Sequence, residues 1–160
     1  MYHLSEAYLM ASYIALLAVY LGALVFGTAA VAPIAVGTLA ADSAGMFLRR
    51  YWVTYHRFAV TGGLFFASSA AIGSTVSAVP SRYALLLVSL AGLMTILFFV
   101  AMRLIPSINE ARDNADNETF NRLHRINVSL VSLGMLTAIA LLVALIYVLP
   151  GQFTFWPTAS

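Results

Sequence analysis

The chain has 160 residues, of which 62% are hydrophobic and only 9% charged, and its mean hydropathy is +0.92. So few polar side chains cannot cover a water-soluble globule of this size, so the composition predicts an integral membrane protein. All eight cations are arginines, the formal net charge is +2, and the absence of cysteine excludes disulfides, thiolate metal sites and thiol nucleophiles.

Apolar runs cover about residues 7–41, 58–81, 83–102 and 126–148. Each matches or exceeds the roughly 20 helical residues that cross a bilayer. The strand-like alternation of an outer-membrane barrel is missing from runs such as Tyr83-Ala-Leu-Leu-Leu-Val. The expected fold is therefore all-α: one integral membrane four-helix bundle over 1–160, with helices at about 7–40, 52–79, 82–105 and 118–149.

The first helix starts after Met1-Tyr-His-Leu-Ser-Glu, which carries no cation and leads into an apolar run too long for a cleaved signal, so the helix is expected to be retained. Pro33 lies inside it and should kink it or end its regular part. Asp42-Ser43-Ala44-Gly45 then reads as a break. The connection that follows holds Arg49, Arg50 and Arg57.

The second helix carries small residues at four-residue spacing, Gly63, Ala67 and Ala71 on one line and Ser69, Gly73 and Ser77 on another. Small residues let helix backbones approach closely in lipid, within one chain or between protomers. Beyond the next connection, whose one cation is Arg82, the third helix is expected to stop at Pro106. The third connection carries Arg103, Arg112, Arg122 and Arg125 beside Glu110, Asp113, Asp116 and Glu118, and reads as a solvated loop with local ion pairs. Asn117 followed by Glu118 reads as the N-cap and acidic first turn of the fourth helix.

Seven arginines in the first and third connections against one in the second place both termini on the outer side of a bacterial inner membrane. Aromatic residues near the outward ends, Tyr2, Tyr8, Tyr83, Tyr147, Phe153, Phe155 and Trp156, suit a headgroup belt. The arginines flank membrane spans, so membrane lipids rather than nucleic acid are the expected surroundings.

No carboxylate falls within a span, which argues against a proton pump. The chemistry-bearing residues gather at the arginine-rich end: His56 with Arg57, and His124 with Arg125. Two imidazoles on bundle helices can ligate haem b axially, and neighbouring arginines can hold its propionates. The plainer reading makes these pairs interfacial anchors, with no cofactor required. His3 lies across the membrane from both.

Gly22-x-x-x-Phe26, Ala32-Pro33, Ala44-Gly45, Tyr51, Ile105-Pro106, Arg112-Asp113 and Phe120-x-x-Leu123-His124-Arg125 occur in this order along most of the chain. Together they resemble the transmembrane-protein-205-like family, a domain of unknown function. The resemblance implies a small four-helix integral membrane protein and no particular reaction. The sequence departs from the family pattern at Leu48-Arg49-Arg50, where an aromatic-proline pair is usual before Tyr51, and at Ile126-Asn127.

Three functions fit these features. The first is a noncatalytic membrane protein, either a self-associating bundle or an accessory subunit of a larger membrane complex. The second is a haem-b or quinone-linked redox protein using His56 and His124. The third is a small transporter or channel with a path lined by the break around Pro33.

Overall fold

The computed structural model describes residues 2–76 and 81–148. The fold is all-α and consists of four helical rods. The first rod is composite: α1 (Tyr2–Phe26) runs through a π-helical turn (Gly27–Val31) into α2 (Ala32–Thr38). The others are α3 (Ala41–Val76), α4 (Ser81–Asp113) and α5 (Asn117–Val148). Three segments are long and apolar enough to cross a membrane: Met10–Thr38, Tyr83–Asp113 and Asn117–Tyr147. α3 differs because its first part carries Asp42, Arg49, Arg50 and Arg57, and its apolar part begins only at Phe58.

The expected loops are largely helix. Asp42-Ser43-Ala44-Gly45 is not a break but the opening of α3. The interruption falls just before it, where Leu39 turns extended at φ −95°, ψ 148°. The arginines after it sit on a continuous helix, because charge excludes a segment from lipid without disfavouring helix. Pro106 likewise does not end its helix, and α4 continues to Asp113. A proline removes one backbone hydrogen bond, a loss that a long helix packed on both sides tolerates.

The solvated loop between the last two helices shrinks to a three-residue turn. Ala115 is left-handed at φ 53°, the Asp116 N–H donates to the Ala111 carbonyl, and the Ala115 N–H donates to the Arg112 carbonyl. That pair of bonds is a Schellman cap closing α4. The N-cap of α5 is Asp116, one residue before the expected Asn117: the Thr119 N–H donates to its Oδ1 at 3.0 Å. Ser77 of the small-residue line and the expected headgroup aromatics Phe153, Phe155 and Trp156 lie outside the described residues.

α4 is central and packs most extensively on α3 and α5. Phe98 is fully buried and lies against Gly134 of α5, where an added Cβ would come within 2.9 Å of its ring. Gly63 of α3 faces α4 in the same way, its missing Cβ leaving room for Thr95. The small-residue line of α3 thus serves packing inside the chain at Gly63. Neighbouring Gly62 faces the other way and accepts the ring of Tyr20 from α1.

α1 buries Leu17 and Leu24 in the core, and tyrosines bond it to α3. The Tyr20 hydroxyl donates to the Ala59 carbonyl at 2.5 Å and that of Tyr13 to the Phe66 carbonyl at 2.9 Å, while Tyr55 of α3 returns a bond to the Leu24 carbonyl at 3.3 Å. Each tyrosine buries an apolar ring and finds an acceptor for its hydroxyl.

Candidate functional site

The π-turn has a local cause in Pro33. A proline ring at this position meets the carbonyl four residues earlier and supplies no N–H, so the turn before it must widen or kink. Here it widens by one residue, and the Ala32 N–H reaches back to the Gly27 carbonyl. Gly27 is buried against the Tyr51 hydroxyl and the Tyr55 ring, leaving no room for a Cβ. Thr28 adds local bending by donating its hydroxyl back to the carbonyls of Leu24 and Val25, both at 3.1 Å.

Above the turn, α1 packs against α5; beyond it, α2 packs against α3. The space between α2 and α5 is a cleft of about 730 Å³. One wall is Thr28, Ala29, Ala32, Pro33, Val36 and Gly37. Opposite it, α5 contributes Phe120, His124, Asn127, Val128, Val131, Ser132 and Met135, a single face that rises about 22 Å along the helix. The third side is Leu48, Arg49 and Trp52 of α3 with Ile105, Ile108, Asn109 and Arg112 of α4.

The cleft is polar at one end. Arg49 is bound in a two-pronged ion pair with Asp113, which ties the start of α3 to the end of α4. Arg112 makes no ion pair among the described residues. It lies against Gly45 and over the Phe120 ring, 5.9 Å from its centroid. The His124 ring stacks on Phe120 at 5.6 Å with the planes 5° apart. Guanidinium, phenyl and imidazole therefore form one ordered rim.

Deeper in the cleft, a buried polar pair fixes the orientation of an amide. The Trp52 carbonyl only accepts, so His56 Nδ1, 2.7 Å away, carries the proton and Nε2 presents a lone pair. Asn127 Nδ2 donates to the Ala101 carbonyl at 2.7 Å and lies 3.5 Å from His56 Nε2. Both amide hydrogens are thus directed at protein acceptors. Oδ1 has no partner among the described residues and no buried side-chain oxygen there lacks one, so it is open to the cleft although Asn127 is only 7% exposed. Asn109 and Ser132 also line the cleft without a hydrogen bond among the described residues.

The four residues singled out by sequence are dispersed. His56 is fully buried behind Asn127 and is not part of the cleft wall, whereas His124 is exposed on the rim. Arg57 is exposed on α3, and Arg125 is exposed with its Nε donating to the Asn121 carbonyl at 3.3 Å. Of the four only His124 lines the cleft, where Arg112, Phe120 and Asn127 join it. The signal for Asn127 was an amide inside an apolar run one helical turn after His124; Arg112 and Phe120 were singled out in the sequence only within the ordered motifs of the family resemblance, with no chemistry attached to them.

Comparison with family models, curated proteins and solved structures finds no match.

Proposed function

We propose that this chain is a noncatalytic integral membrane protein that holds a membrane-resident molecule in the cleft between α2 and α5. The observation that carries this reading is the cleft itself: concave, mostly apolar, lined by a few oriented polar groups and within the size of a small-molecule site. The four rods cross a bacterial inner membrane in this reading. The arginine-bearing ends of α3, α4 and α5 face the cytoplasm, and the likeness to the transmembrane-protein-205-like family fits such a four-span bundle. The haem alternative draws less support, since His56 is committed to Trp52 and Asn127 and only His124 reaches the cleft.

Native mass spectrometry of the gently extracted protein tests the reading. The wild type is expected to carry one bound molecule. Ala32→Trp, which fills the cleft, is expected to lose it, while Leu85→Trp on the exposed outer face of α4 keeps it. A wild type that carries no added mass, or an Ala32→Trp variant that retains it, would overturn the reading.

A further inference from the structure

The cleft is graded along α5, and the gradient specifies a ligand. At the rim stands Arg112, lying against Gly45 and Phe120 and making no direct ion pair among the described residues, since the neighbouring Asp113 is bound two-pronged by Arg49, with His124 beside it. A positioned guanidinium of this kind selects an anion with paired oxygens, above all a phosphate. Three residues further along α5, about 4.5 Å deeper, Asn127 Oδ1 offers one fixed acceptor. Beyond it the α5 wall is Val128, Val131 and Met135, interrupted only by Ser132.

Read from the rim inward, the complement is an anionic head, a hydrogen-bond donor next to it, and an apolar tail. We propose that the cleft's occupant is a single-tailed amphiphile with a phosphate head and a free hydroxyl beside it, the chemistry of a monoacyl glycerophosphate. The phosphate pairs with Arg112, the hydroxyl donates to Asn127 Oδ1, and the chain lies along α5 toward Met135. One tail fits better than two, because the cleft of about 730 Å³ is the size of a single small-molecule site. A diacyl phosphatidic acid also lacks the free hydroxyl, which leaves Asn127 Oδ1 without a donor. This inference deepens the function proposed above and rests on it.

Trp52 lines the cleft and Trp156 is the one other tryptophan, so a Trp156→Phe background makes the fluorescence of Trp52 a direct reporter. The full chain in maltoside micelles is titrated with 1-oleoylglycerol 3-phosphate, its 2-deoxy analogue, 1-oleoylglycerol, dioleoyl phosphatidic acid and inorganic phosphate. The expected order places the first tightest. The deoxy analogue is weaker by about fivefold and the uncharged glyceride by more than about tenfold. Arg112→Gln should abolish the preference for phosphate over the glyceride.

Equal affinity for glyceride and phosphate would overturn the head assignment yet leave the cleft occupied. Equal affinity for the deoxy analogue would remove the role of Asn127, and equal affinity for the diacyl lipid would remove the single-tail assignment. Inorganic phosphate binding as tightly as the lysolipid would make this a free-anion site. No response to any amphiphile, with no molecule retained in the native mass spectrum, would defeat the cleft reading itself.

Discussion

Asn127 is the residue where the cost of burial is most concentrated. Its Nδ2 serves two acceptors, so Asn127→Leu leaves His56 Nε2 buried without a donor, which costs about 1–3 kcal/mol. Replacing both partners by apolar groups removes the orphan as well as the bond. His56→Phe combined with Asn127→Leu is therefore expected to recover much of the loss, measured as thermal stability of the four members of a double-mutant cycle in micelles. Strict additivity of the two single changes would show that the pair is not coupled.

Asp116 gives a residue-scale prediction in pH. Its carboxyl lies below the ordinary value of 3.8, because the Thr119 backbone N–H and then the Thr119 side chain bond the ionised form. A depressed carboxyl contributes stability that is complete above the unfolded value and is lost as the pH falls through the folded one. The Thr119 amide resonance should accordingly titrate with a midpoint below 3.8, and Asp116→Asn, which keeps a capping oxygen, should flatten that titration.

At the scale of elements, two helix glycines of equal intrinsic propensity separate packing from conformational freedom. Gly63 has no room: an added Cβ would meet Thr95 Oγ1 at 2.7 Å and its Cα at 3.2 Å. Gly92 has nothing within 4 Å. Gly92→Ala should stabilise α4 by up to about 1 kcal/mol, whereas Gly63→Ala should destabilise the α3–α4 contact by about 1–2 kcal/mol after the same gain is offset. Differential thermal stability in micelles checks both, and a stabilising Gly63→Ala would mean that Thr95 can move aside.

The sequence made the apolar parts of these elements legible and their charged extensions illegible. Hydropathy marks where a helix is comfortable in lipid, not where it begins. The arginine-rich start of α3 and the end of α4 past Pro106 therefore read as loops, although Arg49 and Asp113 join them helix to helix. Pro33 did advertise an irregularity, but not its form. A kinked α-helix and a π-turn satisfy the same missing N–H, and the choice rests on the tertiary fit of Gly27 beneath Tyr51 and Tyr55. The cleft was out of reach for the same reason, since it depends on where α2 points after that turn.

For the whole molecule, the cysteine-free sequence permits a clean test of orientation. A single cysteine at Asn114, in the turn between α4 and α5, should react with an impermeant maleimide only when the cytoplasmic face is open. One at Tyr8, exposed near the start of α1, should react from outside the cell. The reverse pattern would turn the bundle over and place the cleft's polar rim in the outer leaflet.

The uneven attachment of the first rod has a bearing on how the bundle assembles. α3, α4 and α5 pack as neighbours in sequence, and the three-residue turn joins the last two as one hairpin. α1 must instead find α5 from the opposite end of the chain, and its inward hold on α3 includes hydroxyls of Tyr13 and Tyr20 donating to carbonyls and Tyr55 bonding back. The α1–α5 pairing is thus the most non-local in the described fold, the kind whose loop-closure entropy slows folding. The groove beside that seam is the cleft, so the most distant pairing in the sequence and the site proposed for a membrane-resident molecule share one edge.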